Sequence, residues 1–120
     1  AGTSWAWRPL AYAPTPENPI ISTSVDVTAG TFNAGPAGTT TSRFGLDVYN
    51  GSGVRIAGIA LRFAAGTTTQ AQFTTIAGTQ VNSNVTTAVG SWYTLRIDLN
   101  TTANQASFFL DGALLSTRPY

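Results

Sequence analysis

Two-residue alternation of apolar and polar positions runs through most of the chain, and it is strictest in Trp92–Leu115. Tyr93, Leu95, Ile97 and Leu99 fall on one face, and Trp92, Thr94, Arg96, Asp98 and Asn100 on the other. Such a period belongs to a half-buried strand. Past the polar turn Thr101–Asn104, Ala106, Phe108 and Leu110 keep the apolar parity. Pairing Asn100 with Gln105 then sets Leu99 against Ala106, Ile97 against Phe108 and Leu95 against Leu110. It leaves Asp98 opposite Ser107 and Arg96 opposite Phe109 on the outer face. A slip of one residue would invert every face, so the pattern fixes the register to within an even shift. Asp111-Gly112 turns the chain into a last strand, Ala113–Thr117.

The same reading applies upstream. Thr3–Tyr12 alternates Trp5 and Trp7 with Ala6 and Arg8 as a first strand, ended by Pro9. Ala13–Pro19, with three prolines, is a stiff extended loop. Ile20–Ala29 is a strand with Ile21, Thr23, Val25 and Val27 inward. Gly30–Thr40 is a turn-rich connection. Ser42–Tyr49 and Val54–Ala65 form a hairpin, for which a two-residue Gly51-Ser52 turn of type II′ sets Phe44 opposite Ile59 and Leu46 opposite Ala57. Val54–Ala65 is apolar on nearly both faces and reads as a central strand. Gln70–Ile76 and Thr79–Val85 follow. No ten-residue window favours a helical period. Nine short strands with frequent turns predict an all-β, antiparallel two-sheet sandwich or barrel, with residues 1–120 as a single domain.

Composition narrows the chemistry. Hydrophobic residues are 42%, enough for a packed core, whereas charged residues are only 9%, against about 25% in ordinary domains. The net charge is +1, and Arg8, Arg43, Arg55, Arg62, Arg96 and Arg118 are scattered with no basic stripe, so nucleic acid is excluded as an expected partner. No apolar run reaches the ~20 residues of a membrane span. Histidine, cysteine, methionine and lysine are absent. The usual nucleophile–base pairs therefore cannot be assembled. Low charge with many hydroxyl and amide side chains suits a secreted bacterial β-protein, and the opening residues carry no signal-peptide pattern, as expected of a mature or trimmed chain.

The Trp-opened strand Gly90-Ser91-Trp92-Tyr93, the Leu95-x-Ile97-x-Leu99 alternation, the aromatic strand with Phe108 and Phe109, and Asp111-Gly112 together resemble the concanavalin A-like, laminin G-like jelly-roll superfamily. Phe44-Gly45-Leu46-Asp47-Val48-Tyr49 with its Gly-rich turn is similar to the central hairpin of uncharacterised secreted bacterial members. The likeness covers about half the chain and implies a jelly-roll sandwich. Members of that superfamily are usually longer, so this chain is expected to be short of a full strand set and to carry open sheet edges. The Glu-x-Asp-x-x-Glu catalytic strand of the glucanase branch is missing, and the sole glutamate, Glu17, lies in the proline loop.

Three kinds of site remain. The register places Asp111 near Thr94 and Asp98 four residues further on, or roughly 13 Å at about 3.4 Å per residue, too far for paired glycosidase carboxyls at ~5–9.5 Å. No catalytic residue and no obligatory cofactor are expected. Calcium is the only plausible metal, and Asp47, Asp98 or Asp111 would ligate it, with Asp98 and Asp47 otherwise pairing with Arg96 and Arg43. Glycan stacking would use Trp5, Trp7, Tyr12, Tyr49 and Trp92, although such aromatics serve a core or an interface equally well. Sequons at Asn50, Asn84 and Asn100 lie in or beside turns. Edges without lysine favour self-association by strand addition. The expected function is thus a non-catalytic structural or surface protein, extracellular, self-assembling through sheet edges into a fibre or matrix. A lectin-like module binding polysaccharide is the alternative.

Overall fold

The computed structural model describes residues 6, 8–10, 12–28, 41–64, 69–75, 78–88 and 90–120. Among them the chain is all β, with eight strands. These are β1 (Ile20–Thr28), β2 (Thr41–Tyr49), β3 (Arg55–Ala64), β4 (Thr69–Thr75), β5 (Val81–Thr87), β6 (Trp92–Asn100), β7 (Gln105–Leu110) and β8 (Ala113–Pro119). They form two four-stranded antiparallel sheets, sheet A in the order β1-β6-β7-β8 and sheet B in the order β2-β3-β4-β5. The ninth expected strand, Thr3–Tyr12, is not formed by its described members, Ala6, Arg8–Leu10 and Tyr12, and its remainder lies outside the described residues. The connection 30–40 lies outside them too.

The fold is sandwich-like because the inward parities of the two sheets share one core. Val27, Leu95, Ile97, Leu99, Ala106, Phe108 and Leu110 come from sheet A, and Ala57, Ile59 and Leu61 from sheet B. All ten are buried, Phe108 being the largest of the fully buried side chains. At roughly 1.5–3 kcal/mol for each large apolar side chain, this burial is the principal favourable term. Turn chemistry fixes how the strands meet. Asn100 Oδ1 accepts the N–H groups of Thr102 and Ala103 at 3.1 and 2.9 Å and seeds the β6–β7 turn. Asp111 and Gly112, at φ 49° and 80°, supply the two left-handed positions of a tight β7–β8 turn. The β6–β7 register is the expected one, from Asn100↔Gln105 to Leu95↔Leu110.

The β2–β3 hairpin departs from expectation. Gly51 does not take the positive φ of a type II′ turn. Gly53 does, at 76°. Asn50 N–H donates to Val54 O (2.9 Å), and Gly53 N–H to Asn50 O (3.0 Å). Asn50 Oδ1 meanwhile accepts from Ser52 and Val54 N–H at 3.0 and 2.9 Å. The turn is therefore one residue longer and holds Gly53 in the position that tolerates a left-handed backbone. A bulge next to it, between Val48 and Tyr49, shifts the register again. Phe44 faces Leu61 and Leu46 faces Ile59, two residues from the expected pairing. The bulge has a physical reason. Arg55 shares sequence parity with Ala57, Ile59 and Leu61 and would otherwise point into the core. Inserting Ile56 as the extra residue lets Arg55 stay exposed while Ile56 packs on the core margin.

Candidate functional site

Two features of sheet A could meet a partner: its outer face and its free edge. The alternation of β1 and β6 sends Ile20, Ser22, Ser24, Asp26 and Thr28, and Trp92, Thr94, Arg96, Asp98 and Asn100, to that outer face. Rows of side chains then cross the strands. Ser22 Oγ donates to Asp98 Oδ1 at 2.7 Å. Arg96 Nε lies 3.2 Å from the same oxygen without hydrogen-bond geometry, so this contact is a half-exposed ion pair of small worth. The Arg96 guanidinium stacks 3.9 Å above the Phe109 ring, a cation–π contact. Thr94 Oγ1 donates to Asp26 Oδ1 at 2.6 Å, and Thr94 N–H donates to Asp111 Oδ1 at 2.7 Å. The Ser107 and Thr117 hydroxyls bond at 2.8 Å. The face is mostly polar, interrupted by the exposed Ile20 and Trp92, and its three carboxylates already take protein donors.

The expected stacking residues are not gathered into one platform. Trp92 stands 68% exposed at the start of β6, next to Thr28 in the pairing. Tyr49, also exposed, ends β2 in the other sheet. Tyr12 is exposed in the proline loop, its hydroxyl donating to Asn18 O at 3.4 Å. Trp5 and Trp7 lie outside the described residues.

The calcium candidates are likewise apart. Asp98 and Asp111 belong to sheet A, beside Ser107 and Thr94 respectively, and Asp47 belongs to sheet B. No cluster of three acidic side chains occurs among the described residues. Asp47 pairs with Arg55 at 3.6 Å and not with the expected Arg43, because the β2–β3 bulge carries Arg55 outward onto Tyr49, one outer-face position from Asp47. Its carboxylate lies over Gly58, where a Cβ would collide with it.

Burial raises the Asp47 pKa above its ordinary 3.8, and Arg55 offsets part of that rise. A carboxyl whose folded pKa exceeds its unfolded value stabilises the fold most when protonated, and that contribution is lost as pH climbs through the folded value. Asp47→Asn is therefore expected to gain stability relative to the wild type as pH rises from below 3.8. Urea midpoints measured across that range check this, and a pH-independent difference between the two proteins would contradict it.

The missing lysine predicts open sheet edges, but only the strand order shows that β1 is outermost in sheet A. Among the described residues no strand lies beside β1 on the side away from β6. The direction of its backbone groups follows from two bonds. Thr101 N–H donates to Pro19 O and Asp111 N–H to Thr94 O, each at 2.9 Å. Odd positions of β6 therefore bond β1, and even positions bond β7. In β1 the inward residues Ile21, Thr23, Val25 and Val27 bond β6. The N–H and C=O groups of Ile20, Ser22, Ser24, Asp26 and Thr28 point to the free edge.

Comparison with known proteins adds no family: no family model matches the chain, and no curated protein or solved structure does. Its function is therefore argued from its own residues.

Proposed function

We propose that the chain is a non-catalytic, extracellular structural protein that associates with copies of itself through sheet edges, as a subunit of a fibre or matrix. In this reading the two sheets follow the concanavalin-like jelly-roll plan with a reduced strand set. The observation that carries the proposal is the row of outward backbone groups along β1, uncovered among the described residues. Unpaired strand edges are templates for another strand, and soluble monomers normally blunt them with lysine, proline or bulges. A chain without lysine and with 9% charged residues has little electrostatic deterrent to close approach. Light scattering after size exclusion over a wide concentration range should give a mass that rises with concentration. A monomer at every concentration would sink the proposal. Electron micrographs of the native material then distinguish fibre from sheet.

Trp92 supports a second reading. An indole 68% exposed beside Thr28, Thr94 and Asp26 offers a stacking surface with hydroxyl and carboxylate neighbours, as a lectin-like polysaccharide module would use. A glycan array separates the two readings, since a structural subunit should give no saturable sugar signal.

A further inference from the structure

The four strands that end the sheets differ in how far they are blunted. In β5 three residues, 83–85, face the single position 71 of β4, between the pairs Gln72↔Asn82 and Gln70↔Thr86. Asn84 at φ 59° and the Val85 N–H, which donates to Ser83 Oγ (3.1 Å), bend that strand out of a straight ladder. The β8 edge is bulged where Phe108 faces Ser116 and Phe109 faces Leu114, and it ends in Arg118-Pro119. The β2 edge lies opposite the extra residue Ile56 of β3, which shifts its register between Val48 and Tyr49, and it carries Arg43 and Asp47. Only β1 keeps unbroken register over all nine residues. Within its span it has neither proline nor arginine, and Asp26 is its sole charge.

We propose that β1 pairs antiparallel with β1 of a second copy, about a two-fold axis through Ser24 and perpendicular to sheet A. This deepens the assembly reading and rests on it. The strand is self-complementary in that register. Ser24 faces Ser24 of the second copy, Ser22 faces Asp26, and Ile20 faces Thr28, all through the outward-pointing backbone groups, giving about ten hydrogen bonds. The half-buried Ile21, Thr23 and Val25 and the buried Val27 continue the core-facing parity into the second copy, with Val25 against Thr23 and Val27 against Ile21. The two Asp26 carboxylates fall four residues apart along the joint, about 13 Å, beyond the screening length of ~8–10 Å at physiological salt. Two four-stranded sheets A would become one continuous eight-stranded sheet, and two uncovered edges would disappear together. A two-fold joint closes on itself, so β1 supplies the dimer of any larger fibre, whose growth needs a different contact.

The test uses single cysteines in a chain that has none of its own. At the axis Ser24→Cys brings two sulfurs onto directly opposed residues with Cα atoms about 5.5 Å apart, inside the span a disulfide bridges. Ser22→Cys shares the outer face and exposure of Ser24, but its partner cysteine is about 13 Å away along the strand. Under a mild oxidant at concentrations where the wild type associates, Ser24→Cys should convert mainly to a covalent dimer on non-reducing gels, several-fold more than Ser22→Cys. Circular dichroism checks that both fold. Ser24→Lys, which sets two ammonium groups against each other, should weaken association about fivefold, and added salt should restore part of it. Equal cross-linking of the two cysteines, with the wild type still self-associating, overturns the β1 pairing and leaves assembly standing through another edge. A wild type that is monomeric throughout overturns the assembly reading itself.

Discussion

Phe108→Ala is expected to destabilise the fold by about 3–5 kcal/mol, a large share of the 5–15 kcal/mol available to a small domain. Phe108 is fully buried and opposes Ile97, itself fully buried, in the middle of the β6–β7 ladder. The shared core of Leu95, Leu99, Ala106 and Leu110 from sheet A with Ile59 and Leu61 from sheet B has no flexible methionine to move into the void. Most of the lost volume should therefore remain as cavity. Phe109 is the internal control. It sits one residue on, faces outward under the Arg96 guanidinium and is only half-buried. Phe109→Ala should cost about 1 kcal/mol or a little more, the worth of a cation–π contact and partial burial. Urea unfolding followed by circular dichroism measures both. Similar losses for the two phenylalanines would contradict the inward–outward assignment on which the outer face of sheet A depends.

That assignment was legible in the sequence because the inward positions of β6 and β7 are apolar throughout, Trp92 and Phe109 being the only apolar residues at their outward positions. Every pair from Asn100↔Gln105 to Leu95↔Leu110 follows from matching apolar to apolar across a polar turn. Alternation specifies a register only modulo two residues, and the β2–β3 hairpin exposes that limit. Phe44 and Leu46 meet apolar partners in either register, Ile59 and Ala57 in the expected one and Leu61 and Ile59 in the observed one, whereas the expected register would set Val48 opposite Arg55. What distinguishes them is local: Asn50 capping its own turn, Gly53 in the left-handed region, and a bulge that extracts Arg55 from the core parity. The same bulge explains why Asp47 meets Arg55 and not Arg43. For the candidate site, the sequence marked which side chains face outward on β1 and β6. The free edge could not be found that way, because strand order is set by long-range pairing between β1 and β6, which are separated by the whole of sheet B.

The alternation of backbone direction along β1 makes a second prediction, independent of whether copies associate. Val25→Pro should cost about 3 kcal/mol or more, and Ser24→Pro, one residue earlier, under about 1 kcal/mol. Val25 pairs with Leu95, and its N–H is one of those directed at β6. Proline there deletes a ladder bond, leaves a carbonyl of the buried Leu95 unsatisfied and presses its ring toward β6. The N–H of Ser24 points to the free edge and bonds nothing in β6, while its side chain is exposed on the outer face. Proline at that position removes a donor that only another strand could use. Measured at dilution, where association is negligible, the two variants isolate the intramolecular cost. Measured at high concentration, Ser24→Pro should also lose the β1 joint with its fold intact. Equal destabilisation by the two prolines would mean that β1 is bonded on both sides within one chain, and a strand so enclosed could not serve as the joint between copies.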